Sequence, residues 1–267
     1  VLGSAIGSLG SGGAVIFFNQ VSAGNNNNIL EDCDVGAAGS NLPSVLIYSL
    51  GSSSHTGNTI NGCRLFDFFA PATSSAGIYL ESGTGWSLIN NKLYQTAART
   101  FTTNNVTHYG ISLLGGSGSQ VSNNTIGYSA SNGTGLYSIV GLQFSKWFPI
   151  DINAGTAAAP IEVQGNKLSN MSYSGTMSGT GINTPFVLCR SAGGVLNVGT
   201  VNGNILGDSL VNGSITYSSS SISASDINGF YFSGATSIVN LRNNVIGGLQ
   251  TTLNGTGGAN IIGIQTA

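Results

Sequence analysis

Charge is what this sequence has least of. Lys, Arg, Asp and Glu together make up 6% of its 267 residues, against about 25% in an ordinary soluble protein. Its seven Lys and Arg residues are scattered, so no basic face exists to follow a phosphate backbone, and nucleic acid is not expected as a partner. Long apolar runs are missing as well. Ala14 to Phe18 and Val45 to Tyr48 are strand-sized and fall far short of the ~18 residues that span a bilayer. Amphipathic stretches of strong helix formers are absent, which argues against helical repeats. There are three cysteines, with no CxxC or Cys/His spacing of the kind that binds zinc. Neither an EF-hand loop nor a calcium-binding nonapeptide array occurs, so no metal and no cofactor is expected. The start, Val1-Leu2-Gly3-Ser4, has no basic region and no long apolar core, and no signal peptide is read there. With no initial Met, the expectation is a processed or excised piece of a longer chain.

What remains is Gly, at 41 positions, with abundant Ser, Asn and Thr, and a hydrophobic fraction of 40%. Disordered chains combine low hydrophobicity with high net charge. A formal net charge of -2 fits neither condition, so the chain should fold behind a neutral surface of hydroxyls and amides.

A six-residue pattern recurs: apolar, any, Asn or Gly, Asn, any, apolar. It reads Leu88-Ile89-Asn90-Asn91-Lys92-Leu93, then Val121-Ser122-Asn123-Asn124-Thr125-Ile126 and Val163-Gln164-Gly165-Asn166-Lys167-Leu168. Val201-Asn202-Gly203-Asn204-Ile205-Leu206 and Leu241-Arg242-Asn243-Asn244-Val245-Ile246 follow. Asn27-Asn28-Ile29-Leu30 and Gly57-Asn58-Thr59-Ile60 look like two earlier copies without the first apolar residue. The repeated Asn thus falls at Asn28, Asn58, Asn91, Asn124, Asn166, Asn204 and Asn244, in steps of 30 to 42 residues. Short strands precede most copies, at Gly77-Ile78-Tyr79-Leu80, Gly110-Ile111-Ser112-Leu113, Gly141-Leu142-Gln143-Phe144 and Gly229-Phe230-Tyr231-Phe232. One such unit cannot bury its apolar face alone. Stacked units can, each strand pairing with its equivalent in the next. Asn suits the tight corner because it tolerates left-handed backbone angles and bonds locally. In register, the seven Asn side chains are expected to form an amide ladder.

This pattern resembles the Asn-rich coils of the pectin-lyase-like β-helix superfamily. It is closer in style to the very long β-strand-repeat surface proteins of secreting, Bacteroidetes-type bacteria, to whose recurring motifs Asn123-Asn124-Thr125-Ile126-Gly127 and Asn132-Gly133-Thr134-Gly135 are similar. Repeat and resemblance together predict an all-β chain, a right-handed parallel β-helix of about seven to eight coils forming one domain over 1–267. The resemblance implies a secreted, extracellular or cell-surface location. Under it, Asp208-Ser209-Leu210 is similar to a short O-glycosylation motif, which makes Ser209 a candidate for modification.

Cys33 lies five residues after Asn28, and Cys63 five after Asn58. Equal offsets stack the two residues in neighbouring coils, at positions about 4.8 Å apart across the ladder, within the Cα range that a disulfide accepts. Two buried thiols are the competing reading. Asp34 and Arg64 follow at matching offsets and should pair on the surface. Cys189 has no partner of this kind and reads as a core thiol.

Catalysis finds little support. Glycoside hydrolysis needs two carboxylates facing one bond, and the nine carboxylates here share no common offset from the repeat apart from the group Glu31 to Asp34. The acidic and basic blocks of polygalacturonases and pectate lyases are not present. Lys146, Trp147 and Asp151, on what reads as an extended loop, and Trp86 near a corner are the candidates for contact with a sugar or a partner surface. The competing reading puts both Trp rings in the core. The leading expectation is a structural or adhesive segment of a fibrous protein, its partners being copies of itself, neighbouring coils of the same polypeptide, or surface glycans. A carbohydrate-active β-helix is the alternative, and a phage tailspike, which would be a trimer, a third.

Overall fold

The computed structural model describes residues 9–10, 13–19, 24–51, 55–179 and 184–267. The start, Val1 to Ser4, lies outside them. All regular elements among the described residues are strands, and all pairings between them are parallel. They form four sheets. Sheet 1, with eight strands, runs Ala14–Phe18, Val45–Ser49, Ser75–Leu80, Thr107–Leu113, Lys146–Asn153, Phe186–Gly193, Ile227–Phe232 and Ile261–Thr266. Sheet 2, with seven, runs Ile29–Glu31, Thr59–Asn61, Ser87–Ile89, Gln120–Ser122, Ile161–Gln164, Val195–Val198 and Ile238–Leu241. Sheet 3, also seven, runs Asp34–Gly36, Arg64–Phe66, Lys92–Tyr94, Thr125–Gly127, Lys167–Ser169, Ile205–Gly207 and Val245–Gly247. Sheet 4, with five, runs Arg99–Thr100, Tyr137–Gly141, Met171–Gly175, Ile215–Ser219 and Leu249–Leu253. The chain visits sheets 1, 2 and 3 in the same order on each pass, and from Arg99–Thr100 onward sheet 4 as well, adding one strand to each sheet it visits, an arrangement that fits a parallel β-solenoid.

The register explains why the apolar positions repeat. In sheet 1, Ile16, Ile47, Ile78, Ile111, Ile150, Cys189, Phe230 and Ile264 stand in one row. Sheet 2 contributes Leu30, Ile60, Leu88, Val121, Val163, Val198 and Leu241. Sheet 3 contributes Val35, Leu65, Leu93, Ile126, Leu168, Leu206 and Ile246. These rows meet in one hydrophobic core. Each fully buried aliphatic side chain is worth roughly 1.5–3 kcal/mol, so the stack gains stability with each pass while a single pass has nothing to pack on. The Cys189 thiol fills a gap between Ile150 and Phe230, as a core residue.

A second row in sheet 1 carries Leu46, Gly77, Gly110, Pro149, Leu188, Gly229 and Gly263. Ladder partners step from Tyr109↔Phe148 to Ile111↔Ile150 and pass over Gly110 and Pro149. A backbone position outside the regular ladder has no need of an N–H, so a proline is accepted in an interior strand. On the side of Gly110 the approach is close enough to require glycine, since a Cβ there would stand 2.4 Å from the Pro149 carbonyl oxygen. Two sequence expectations change here. Lys146–Asn153 is a strand of sheet 1 and not a loop. Gly141-Leu142-Gln143-Phe144, by contrast, begins at the end of a sheet 4 strand and is no counterpart of Gly110-Ile111-Ser112-Leu113.

Candidate functional site

A repeated set of buried hydrogen bonds lies at the corner between sheets 2 and 3. The residue that opens it adopts left-handed backbone angles at Asp32, Gly62, Asn90, Asn123, Gly165 and Asn243, the conformation that Asn, Asp and Gly accept. The next residue points inward. Ladder pairing sets Asn91, Asn124, Asn166, Asn204 and Asn244 in one column. From Asn124 onward, each side-chain oxygen accepts from both the backbone N–H and the amide of the preceding rung. Asn124 Oδ1 accepts from Asn91 N at 2.9 Å and Nδ2 at 3.1 Å. Asn166 Oδ1 does the same for Asn124 at 3.0 Å and 3.0 Å, Asn204 for Asn166 and Asn244 for Asn204. The remaining amide hydrogen goes back one pass, to the carbonyls of Ile60, Leu88, Val121, Val163 and Val198. Asn91, Asn124 and Asn166 are fully buried, so this double bonding meets the condition on which a buried amide is tolerated.

Asn28 and Asn58 do not belong to this column, which corrects the reading of seven equivalent rungs. Thr59 pairs with Ser87, which sets Asn58 level with Trp86, one strand earlier than Asn91. The two form a separate pair at the entrance to sheet 2: Asn58 Oδ1 accepts from Asn28 N at 2.9 Å and Nδ2 at 3.0 Å. At the level of Trp86 a serine replaces the amide, and Ser119 Oγ accepts from Trp86 N at 3.0 Å.

The first two places of the long column hold cysteines. Arg64 pairs with Asp34 and Lys92 with Arg64, so Cys33, Cys63 and Asn91 stand in line. Both are free thiols in this structure. Cys63 Sγ lies 3.6 Å from the Leu30 carbonyl oxygen, the acceptor that an Asn Nδ2 would use there. Cys63 N donates to Asn91 Oδ1 at 2.9 Å. Cys63→Asn is therefore expected to extend the ladder by one rung, with a gain of about 1 kcal/mol. The check is a rise in the denaturant midpoint under reducing conditions. The Asp34–Arg64 ion pair forms as the offsets suggest; with both side chains half exposed it contributes little.

One further copy of the repeat is out of step. Val198, not Val201, pairs in the row of Val163, through Glu162↔Asn197 and Val163↔Val198. Six residues separate Val198 from Asn204 where three separate Val163 from Asn166, and the extra residues bulge outward. Val201 is 77% exposed and Val198 0%. Val198→Ala is expected to cost about 2 kcal/mol by cavity formation, and Val201→Ala less than about 0.5 kcal/mol. Paired urea titrations check the contrast.

The residues expected to touch a ligand are placed differently from the expectation. Trp147 is fully buried, stacked on Phe186 at 4.9 Å and 9° and edge-on to Tyr173. Trp86 is also in the core, edge-on to Phe18. Neither ring reaches solvent, so the proposed sugar contacts at Trp86 and Trp147 do not stand. Both charged neighbours share the strand of Trp147, and Asp151 is on the opposite face of sheet 1, in the row Ser112, Asp151, Arg190, Tyr231. Arg190 Nη1 donates to Asp151 Oδ1 at 2.8 Å, and the guanidinium rests 4.9 Å from the centre of the Phe148 ring. Burial pushes the Asp151 carboxyl up, against the pull of Arg190. Burial, and then Arg190, lowers the half-buried Lys146 ammonium. Ser209 is exposed, beside Asp208, whose Oδ1 accepts from Leu210 N at 2.9 Å.

Sequence reasoning missed a buried network inside the core. His108 Nδ1 is 2.7 Å from Ser75 Oγ, and its Nε2 is bonded to the Tyr137 hydroxyl. Gln95 Nε2 lies 3.4 Å from the same hydroxyl, and Gln95 Oε1 accepts from Arg99 Nε at 2.7 Å. Arg99 pairs with Asp67. A serine beside a histidine suggests a nucleophile and its base. Here both side chains are fully buried, and the imidazole is stacked on Phe68 at 5.1 Å. No substrate could reach them, so the pair is structural. Burial, with the Arg99 charge adding to it, lowers the imidazole pKa to about 3. His108-Tyr109-Gly110 carries no sequence signal for this, because its partners lie 29 to 33 residues away.

Sheets, ladder and core together define the chain as an all-β protein of stacked parallel passes. No protein-family model, no curated protein and no solved structure matches it. No helix among the described residues is long and apolar enough to cross a membrane.

Proposed function

We propose that this chain is a right-handed parallel β-helix of seven to eight coils, and that it serves as a structural or adhesive segment of a secreted or cell-surface fibrous protein. Parallel crossovers within a sheet are right-handed in about 98% of cases, which supports the hand. The pectin-lyase-like resemblance, with the long repeat proteins closest in style, is in keeping with this reading.

One observation carries the functional part. All four sheets end in strands with an open edge, Ile261–Thr266, Ile238–Leu241, Val245–Gly247 and Leu249–Leu253, and apolar residues stand exposed on them. On the edges of sheets 1, 2 and 3, Ile238 is 55%, Val245 41%, Ile261 49% and Ile264 53% exposed. Open edges are templates for further strands, and repeat arrays need polar terminal units to stay apart. A chain with few charges offers little repulsion against such stacking. A second copy of the chain stacked on such edges would give mechanical reach or surface attachment.

Negative-stain electron microscopy with intact mass on the same native material tests this. Filaments, or a mass far above the 27.0 kDa of this chain, are the expected result. Discrete capped particles of that mass that bind and cleave a polysaccharide would overturn it in favour of a carbohydrate-active β-helix.

A further inference from the structure

The column between sheets 2 and 3 holds an amide at each pass from Asn91 to Asn244 and a thiol at the two passes before it. We propose that Cys33 and Cys63 form a site of oxidative cross-linking, a disulfide that joins the first two passes where the amide ladder does not reach.

The geometry rests on register. Asp34↔Arg64 and Val35↔Leu65 are ladder partners, and Arg64 N donates to Cys33 O at 2.9 Å. The two cysteines are therefore direct neighbours across a parallel pair, at a strand spacing of about 4.8 Å, inside the Cα range of roughly 4.4–6.8 Å that disulfides accept. Both side chains turn to the same inner corner. Cys63 is in the core and Cys33 packs against it from its rim. Cys63 Sγ lies 3.6 Å from the Leu30 carbonyl oxygen, and Leu30 belongs to the pass of Cys33. In the passes above, the same slot is filled by an amide bonded both ways. The thiol fills it with weak bonds only and leaves one acceptor site on Asn91 Oδ1 unused by a side chain.

The two thiols differ in access, which sets the order of steps. Cys33 is half-buried, while Cys63 is fully buried with its pKa pushed up by burial. With a small-molecule disulfide as oxidant, the Cys33 thiolate attacks one sulfur, forms a mixed disulfide and releases one thiolate. Cys63 then loses its proton and attacks Cys33 Sγ, which releases the second. Two protein thiols and one small disulfide become one protein disulfide and two small thiols. Cys189 serves as an internal control. Its thiol is enclosed in sheet 1, with burial pushing its pKa up to about 12.

The experiment equilibrates the native chain with oxidised glutathione, blocks remaining thiols after denaturation, and maps the peptides without reduction, cutting after Tyr48 to separate the two cysteines. The expected result is one cross-linked pair, Cys33 to Cys63, reversed by dithiothreitol, with Cys189 recovered as a blocked thiol. The oxidised chain should melt at a higher temperature than the reduced one, and the difference should vanish in the Cys33→Ser, Cys63→Ser double variant. Glutathione held on Cys33 alone, or both thiols recovered free after equilibration, would overturn the proposal. Filament formation and cross-linking are read separately, so either can fail without the other.

Discussion

Asn124→Ala is expected to lower the stability of the fold by about 3–5 kcal/mol, more than any exposed substitution in the chain. The change removes four hydrogen bonds at once. Asn91 N and Nδ2 lose their acceptor, and Leu88 O and Asn166 Oδ1 lose a donor. Asn91 and Asn166 are both fully buried, so water cannot replace what is lost. A buried group left without a partner costs about 1–3 kcal/mol. The effect should stay local, with the passes on either side of Asn124 losing amide exchange protection first, because each pass touches only its neighbours. Asn28→Ala is the matched control. Its side chain is exposed and donates one bond, to Asn58 Oδ1, while the backbone bond to the same oxygen survives. A cost below about 1 kcal/mol is expected there. Urea titrations of the two variants check both values.

The second large effect is a loss of stability in acid that belongs to His108. Its folded pKa of about 3 lies below the ordinary value of 6.5. The unfolded chain therefore takes up a proton, as pH falls below 6.5, that the folded chain refuses. Stability from this residue is complete above that pH and is lost on the way down to about 3, at roughly 1.4 kcal/mol per pH unit. Between pH 6.5 and 4.5 the loss amounts to roughly 2–3 kcal/mol. Asp151 works in the opposite direction, since its raised pKa favours the protonated carboxyl in the folded state. The Arg99–Asp67 pair lies on the far side of Gln95 and Tyr137 from the imidazole. The wild-type curve sums all of these, and the difference from His108→Gln isolates the histidine. That variant should be less stable at pH 7 and flatter toward acid. Parallel curves for the two proteins would show that the imidazole titrates normally.

The architecture was legible because each corner must solve the same steric problem. Five Asn residues with apolar neighbours on both sides located five of the corners, and those five share one column. The two apparent copies at Asn28 and Asn58 misled because the column changes chemistry at its start. Cys33 and Cys63 stand where a search for Asn cannot see a rung, although their equal offsets did reveal that they stack. Val201 misled for another reason: a three-residue extension supplies a valine in the expected place, while Val198 keeps the core position. Trp147 lay beside Pro149 and two charges, a composition that reads as loop. Only the register shows that Pro149 sits in a row where the ladder needs no N–H. The His108 network was beyond reach, because its members meet through stacking across 29 to 42 residues of chain and obey no short-range rule. Cysteine redox state and assembly depend on surroundings outside the sequence altogether.

Five asparagines from five separate passes stack their side chains in one column, buried from Asn91 to Asn204. Hydrogen exchange of assigned Asn side-chain amides, followed by NMR, tests this stacking. The column predicts slow exchange at Nδ2 of Asn91, Asn124, Asn166 and Asn204, with Asn244 less protected at its open end, against fast exchange at the exposed Asn132 and Asn212. Equal and rapid exchange at all of them, in a chain whose backbone amides remain protected, would contradict the ladder and the stacking built on it.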